Sequence, residues 1–270
     1  MYKIYNFMGK TIGIISLKGG VGKTTAVVSL GSAIADFGKK VLLIDSNFSA
    51  PNLGLHLNII DPKVTIHHVL SKQARINDSI HKCGNLDIIP ASIFERININ
   101  PLELRSKISD LKRRYDVILL DSSPALNDET LAAMYASDEI LVVTTADHPT
   151  LSTTIKAVKL AKQRNTPING LILNKVHKRG FEVSLDDIEK TVEVPVLAMI
   201  PHDVNILKSL SEFTPSIIHK PKSEASIEYK KLAAILIGEK YKPFRLRDYL
   251  NIDPKRPEIN REIFYEVMFK

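Results

Sequence analysis

Lys18-Gly19-Gly20-Val21-Gly22-Lys23-Thr24-Thr25 lies between an apolar run, Thr11-Ile12-Gly13-Ile14-Ile15-Ser16, and an amphipathic segment from Ala26 to Phe37. The order is strand, glycine loop, helix N-terminus. Glycines let successive backbone N–H groups converge on one anion, and the helix dipole adds favourable potential at the same point. Such a cradle is expected to hold a nucleoside triphosphate. Lys23 then reaches the β- and γ-phosphates, the Thr24 hydroxyl sits on Mg²⁺, and Gly19, Gly20, Val21, Gly22 and Thr25 complete the loop. A plain flexible glycine turn is the competing reading, and the strand before and the helix after argue against it.

Outward from this loop, short apolar and β-branched runs recur at Ile12–Ile15, Val41–Ile44, Leu86–Ile89, Val117–Leu120, Ile140–Val143, Ile168–Leu173 and Val196–Ile200. They are continuous rather than alternating, as parallel strands covered on both faces are. Helical patterns fall between most of them, at Leu102–Arg113, Asp128–Tyr135, Leu151–Arg164, Leu185–Lys190 and Ser223–Ile237. The alternation predicts an α/β fold: a doubly wound, mostly parallel sheet of about seven strands with helices on both faces. In such a sheet ligands bind at the carboxyl ends of the strands. Gly238 to Pro257 changes character, being charged, proline-containing and poorly periodic. The expected organisation is a P-loop domain over 1–239 and an extension over 240–270 carrying an amphipathic helix.

Bulk properties narrow the class. The 270 residues are 44% hydrophobic and 25% charged, ordinary for a globular protein able to bury a large core. No apolar run approaches the roughly 20 residues of a spanning helix, and Met1 to Lys10 has no signal-peptide pattern, so a cytoplasmic protein is expected. The single cysteine, Cys83, leaves no intrachain disulfide and argues against an iron–sulfur carrier. A net charge of +7 favours an acidic partner, nucleic acid or anionic lipid, without choosing between them.

Two aspartates end apolar runs: Asp45 follows Val41-Leu42-Leu43-Ile44 and Asp121 follows Val117-Ile118-Leu119-Leu120. An aspartate at the tip of a buried strand beside a phosphate loop can hold Mg²⁺ directly or through water. Strand-end aspartates also serve as helix caps, and that reading stays open for each.

The usual P-loop places Gly where Leu17 stands, and here a second lysine, Lys18, opens the loop instead. With Gly-Gly-x-Gly-Lys-Thr-Thr behind it, this resembles the deviant Walker A ATPases of the MinD/ParA family. The resemblance spans Thr11 to about Ile237. It implies a homodimer with ATP and Mg²⁺ between subunits, Lys18 crossing to touch the partner's phosphates. Asp45 would open a first switch segment, and Asp121-Ser122-Ser123-Pro124-Ala125 is similar to the second. Pro51-Asn52-Leu53-Gly54-Leu55 looks like the MinD branch. Asn174, after Gly170-Leu171-Ile172-Leu173, falls where the family reads adenine, followed by Lys175 in place of the usual Arg. A turn or cap role for Asn174 is the alternative. Pro201 and Asp203, within Ile200-Pro201-His202-Asp203, resemble the loop lining the base pocket. One departure matters: the family's Asp-x-Asp reads Asp45-Ser46-Asn47 here. Asn47 can orient a water but cannot act as a carboxylate base, so slow hydrolysis is expected.

The output implied is division-site positioning or cargo partitioning, with an unidentified activating or cargo protein. A metabolic ligase on the same fold, or a scaffold that binds ATP and hardly hydrolyses it, are the alternatives. In the tail, Ile259, Ile263, Phe264 and Val267 can share a helical face, resembling in position the membrane helix of MinD. Glu258, Glu262 and Glu266 suit anionic lipid poorly, so docking on the chain's own body or on a partner competes with membrane binding. Basic groups at Arg105, Lys107, Lys112, Arg113 and Arg114, at Lys156, Lys159, Lys162 and Arg164, and at Lys175, Lys178 and Arg179 are candidates for non-specific DNA. They are equally what a solvated surface looks like. Peripheral association at a membrane or a nucleoid is thus the extension of the cytoplasmic expectation.

Overall fold

The computed structural model describes residues 9–94, 97–177, 179–243 and 255–269. Lys178, the first eight residues and 244–254 of the extension lie outside that set. Eight strands form one sheet: β1 (Lys10–Ile15), β2 (Val41–Ser46), β3 (His81–Cys83), β4 (Leu86–Ile89), β5 (Val117–Ser122), β6 (Glu139–Thr145), β7 (Ile168–Val176) and β8 (Val196–Pro201). Their order is β3-β4-β2-β5-β1-β6-β7-β8, parallel throughout except that β3 runs antiparallel to β4. The seven strands read from sequence are all present; β3 is the addition. Gly84, with φ of 61°, and Asn85 close a two-residue hairpin between β3 and β4. From β1 the chain winds to one side, through β2, β3 and β4 to β5, and then crosses to β6 on the other side of β1. The loop following β1 therefore opens into the crevice where such sheets take ligands.

Both faces of the sheet are covered, which explains the unbroken apolar runs. Ile12, Ile14, Leu43, Leu119, Leu141 and Val143 pack with α1 (Lys23–Asp36) and α10 (Glu224–Leu236). On the opposite face Leu42, Ile44, Ile118 and Leu120 meet α3 (Ile66–Leu70), α4 (Leu104–Ile108) and α5 (Asp128–Ala136). Ile15, Ile140 and Val142 meet α6 (His148–Gln163) and α7 (Leu185–Val192) there. Each such side chain, fully buried, contributes about 1.5–3 kcal/mol.

Two expectations need correction. Leu102–Arg113 is not one helix: 3-10 turns at Pro101–Glu103 and Ser109–Arg113 flank the short α4. Ser106 and Ser109 donate their hydroxyls to the carbonyls three residues back, at Glu103 and Ser106, tightening the turns. The strands also run further than the hydrophobic runs, so Asp45, Asp121 and Asn174 lie within strand ends rather than beyond them. The helices α2 (Leu53–His56) and α9 (Ser216–His219) have four residues each, too few to show a period, and α8 (Val204–Ser211), with Val204, Leu207 and Leu210 three apart, is a further addition to the expected elements.

The tail forms α11 (Arg256–Phe269) and docks on the body along the free edge of β8. Asn260 Nδ2 donates to the Val196 carbonyl at 2.9 Å, and Arg261 donates to the Leu197 carbonyl at 2.8 Å and to Glu228 at 3.1 Å. These bonds satisfy main-chain acceptors that an open edge strand would otherwise present. Phe264 and Tyr265 pack against the core cluster of α1 and α10. The expected apolar face is divided: Phe264 turns inward, whereas Ile263 and Val267 are 56% and 76% exposed. Among the described residues no helix is long and apolar enough to cross a membrane.

Candidate functional site

The glycine loop takes the shape that its sequence requires. Gly20 and Gly22 hold φ of 77° and 94°, a region that side-chain-bearing residues rarely adopt. At Gly22 a Cβ would also stand 2.3 Å from Asn174 Nδ2. Gly22 is the N-cap of α1, and it offers no side chain to the helix's first N–H groups. Helices α5, α6, α7, α8 and α10 are instead capped by Asn127, Asp147, Ser184, Asp203 and Ser223. The first turn of α1 thus keeps its donors for an anion.

A cleft of about 340 Å³ opens over this turn. Its walls include Gly19, Gly20, Gly22, Lys23, Thr24 and Thr25, with Asn47 and Asn52 on one side and Ser122 and Pro124 on another. Asn174, Pro201, Asp203, Ile206 and Leu207 form the far end. Val21 does not line the cleft, its side chain being buried in the core. The expected loop and base-pocket residues therefore converge on one cleft. Asn174 is buried and donates its amide to the Val21 carbonyl at 2.7 Å, tying the far end to the phosphate loop. Lys175 does the same from outside, with Nζ 2.7 Å from the Gly20 carbonyl. Asp203 caps α8 through Asn205 N. His202 stacks on His177 with ring centroids 4.6 Å apart.

Below the cradle lie three buried charges. Asp45 and Asp121 are direct partners in the β2–β5 register, and both are essentially inaccessible to solvent. Burial raises the Asp45 pKa first and the Asp121 charge raises it further, against three backbone N–H bonds from Leu53, Asn47 and Asn52. Those bonds, at 3.0–3.1 Å, occupy both Asp45 oxygens and fold the loop after β2 around it. Asp121 is different. Burial raises its pKa, Thr24 and Lys23 oppose this, and neither of its oxygens completes a hydrogen bond. Burial lowers the pKa of Lys23 while Asp121 raises it. A buried carboxylate with little more than a threonine hydroxyl beside it, below a phosphate cradle, suits a divalent cation. Among the described residues no group of three or more Asp, Glu, His or Cys forms a metal cage. Mg²⁺ needs none, since one or two protein oxygens, waters and substrate phosphates complete its octahedron. The residues fit the ion.

Asn47 lines the cleft with its amide nitrogen donated to the Ala50 carbonyl and its Oδ1 buried without a partner. Lys18 does not line it. Its ammonium turns back along its own chain, 2.8 Å from Thr150 Oγ1 and 3.4 Å from Asp147 Oδ1. Slight burial works to raise the Asp147 pKa, but bonds from Thr145 and Thr150 and the Lys18 charge outweigh it and bring the carboxyl to about 2. Sequence reading missed this seat for Lys18. Its one local signal is Asp147-His148-Pro149-Thr150, an N-cap followed by an early proline, and that signal says nothing of Lys18. Several expected basic residues are already engaged: Lys112 with Asp138, Lys162 with Glu193, Arg164 with Tyr135, and Arg114 with Asn77.

A family model described as an AAA domain matches residues 9–172. An uncharacterized ATP-binding protein of Methanocaldococcus jannaschii is 33% identical, over 87% of this chain and 90% of its own length. The cell division ATPase MinD of Pyrococcus furiosus superposes with a TM-score of 0.80 at 35% identity, covering 84% of this chain and 97% of that one. The septum site-determining protein MinD of Pyrococcus horikoshii OT3, solved with Mg-ADP, gives 0.80 at 33% identity, over 85% and 96%.

Proposed function

The chain belongs to the MinD/ParA family of P-loop ATPases, and from that premise we propose that it is an ATP-gated dimerisation switch in division-site positioning or cargo partitioning. ATP and Mg²⁺ are its ligands. Backbone N–H groups of Gly19 to Thr25 cradle the phosphates, and Lys23 neutralises their charge. Thr24 and Asp121 hold Mg²⁺, while Asp45 fixes the loop that surrounds the ion's water shell. Asn174 and the Pro201–Asp203 turn hold the base. Residues 1–239 form the ATPase domain, and 240–270 form an extension anchored on it through α11.

The observation that carries this reading is the uncapped first turn of α1 standing over a buried Asp121 that has only the Thr24 hydroxyl and the Lys23 ammonium for compensation. Lys18 supplies the second half of the switch. Its seat on Asp147 and Thr150 is an intramolecular one, and it leaves that seat to reach a second subunit's phosphates. Monomer and dimer then differ by an exchange of partners at one ammonium group. Asn47 orients the attacking water through its amide, without a carboxylate's basicity, so turnover is slow and the ATP-bound dimer long-lived. The dimer acts on an anionic surface, lipid or DNA, and on an activating or cargo protein; the chain's +7 charge supports the former.

Light scattering with and without Mg·ATP tests the proposal. The unaltered chain should double in mass with ATP, and Lys18→Ala should stay monomeric while still binding nucleotide. An ATP-bound chain that remains monomeric at tens of micromolar would overturn the switch.

A further inference from the structure

The two loops that flank the cleft beside the phosphate cradle, Asn47–Asn52 after β2 and Ser123–Asn127 after β5, meet at one place outside it. Glu129, in the first turn of α5, is 7% exposed. Its Oε1 accepts the Ser49 N–H at 2.9 Å and the Ser49 hydroxyl as well. Its Oε2 is buried and makes no hydrogen bond. The next residue, Thr130, donates its hydroxyl to the carbonyls of Ser123 and Ala125, at 3.0 and 2.6 Å. Two consecutive residues of one helix turn therefore hold one loop each.

We propose that Glu129 and Thr130 join the two loops, so that they answer the nucleotide as one unit, with Glu129 as a positioning residue for hydrolysis. The proposal rests on the reading of the cleft as an ATP site. Three features argue for coupling rather than a simple surface contact. The β2 loop is internally knotted, Asp45 holding the N–H groups of Asn47, Asn52 and Leu53, so a pull at Ser49 is passed to Asn47. At their roots the loops are pinned together, Ser46 Oγ donating to the Asp121 carbonyl at 2.7 Å. Finally, a buried carboxylate with one idle oxygen depends on Ser49 for its compensation. Glu129 and Ser49 do not part cheaply, so the loop moves with α5.

Hydrogen exchange on the full chain, with and without Mg²⁺ and a slowly hydrolysed ATP analogue, tests this together with steady-state turnover. In the unaltered chain, peptides covering Asp45–Leu57 and Leu119–Thr130 should gain protection at the same analogue concentration. Glu129→Ala should keep protection after β5, lose it after β2, and turn over about tenfold more slowly at a KM for ATP within twofold. Glu129→Gln keeps an acceptor for Ser49 and should restore both. Should Glu129→Ala fold poorly, Ser49→Ala on the exposed loop should weaken the same coupling. Equal protection of both loops in Glu129→Ala, or in Ser49→Ala where the former is unstable, overturns the joint alone. No protection of either loop in the unaltered chain overturns the ATP site, and the joint with it.

Discussion

If Lys18 crosses to a second subunit as proposed, Asp147→Asn should strengthen ATP-dependent dimerisation, because it loosens the seat that Lys18 leaves. In the folded chain the Lys18 ammonium lies 3.4 Å from Asp147 and 2.8 Å from Thr150. Lys18 and Asp147 are 39% and 46% exposed, so solvent screens the pair and its worth is about 0.2–1 kcal/mol. The substitution removes the charge and keeps an amide oxygen, which caps α6 about as well as the carboxylate does. Thr150 remains as a seat, so the change stays within that range, about 0.2–1 kcal/mol in each subunit. A symmetric dimer that frees two lysines doubles it to about 0.4–2 kcal/mol, or roughly 2- to 30-fold in the dimerisation constant. Sedimentation across a protein dilution series at saturating Mg·ATP measures that constant. Raised salt should shrink the difference between the two chains, since it screens exposed charges. Equal constants for the two chains at low salt, or a weaker dimer for Asp147→Asn, would refute the exchange of partners by Lys18, provided that Lys18→Ala still fails to dimerise.

Three more outcomes follow from the geometry. Asn47→Asp puts a carboxylate on the cleft wall at the expense of the bond to Ala50, and should raise single-turnover hydrolysis by about tenfold or more; unchanged turnover would refute the proposal that Asn47 slows hydrolysis. Ending the chain after Glu239 strips Asn260 and Arg261 from the β8 edge. That should cost about 2–4 kcal/mol in a urea titration and promote self-association through the bared strand. The acidic pair also sets a pH dependence: burial, with Asp121's charge acting on Asp45, pushes Asp45 up to about 8, and burial takes Asp121 to about 6. Both folded-state values exceed the unfolded value of 3.8, so the native chain retains protons that the unfolded chain has lost. Stability of the nucleotide-free protein should therefore fall as pH rises from about 4 to about 8. Asp45→Asn should flatten that slope, and Mg²⁺ with nucleotide should abolish it; a melting temperature that climbs with pH in the nucleotide-free chain would contradict the buried pair.

What could be read from the residues alone is what short-range conformation decides. A glycine at φ of 94° before a helix is a local demand, visible in Gly22-Lys23-Thr24 without knowledge of any distant neighbour. Apolar runs report burial on two faces, and they placed seven strands and the phosphate cradle. A family likeness extended this to Asn174 and the Pro201–Asp203 turn, which line the same cleft. The hairpin strand β3 escaped because three residues, one of them exposed, carry no hydrophobic period.

Strand order decided the rest. Lys18 meets Asp147 across 129 residues and Asn174 meets Val21 across 153, because β6 is laid beside β1 and β7 beside β6 in the sheet. The helical period of the tail was legible, but the face that it turns inward was chosen by the bare carbonyls of β8, which favoured Asn260 and Arg261 over Ile263 and Val267. Local backbone preferences are written residue by residue, whereas the partner of a long side chain depends on which strands the folded chain has brought together.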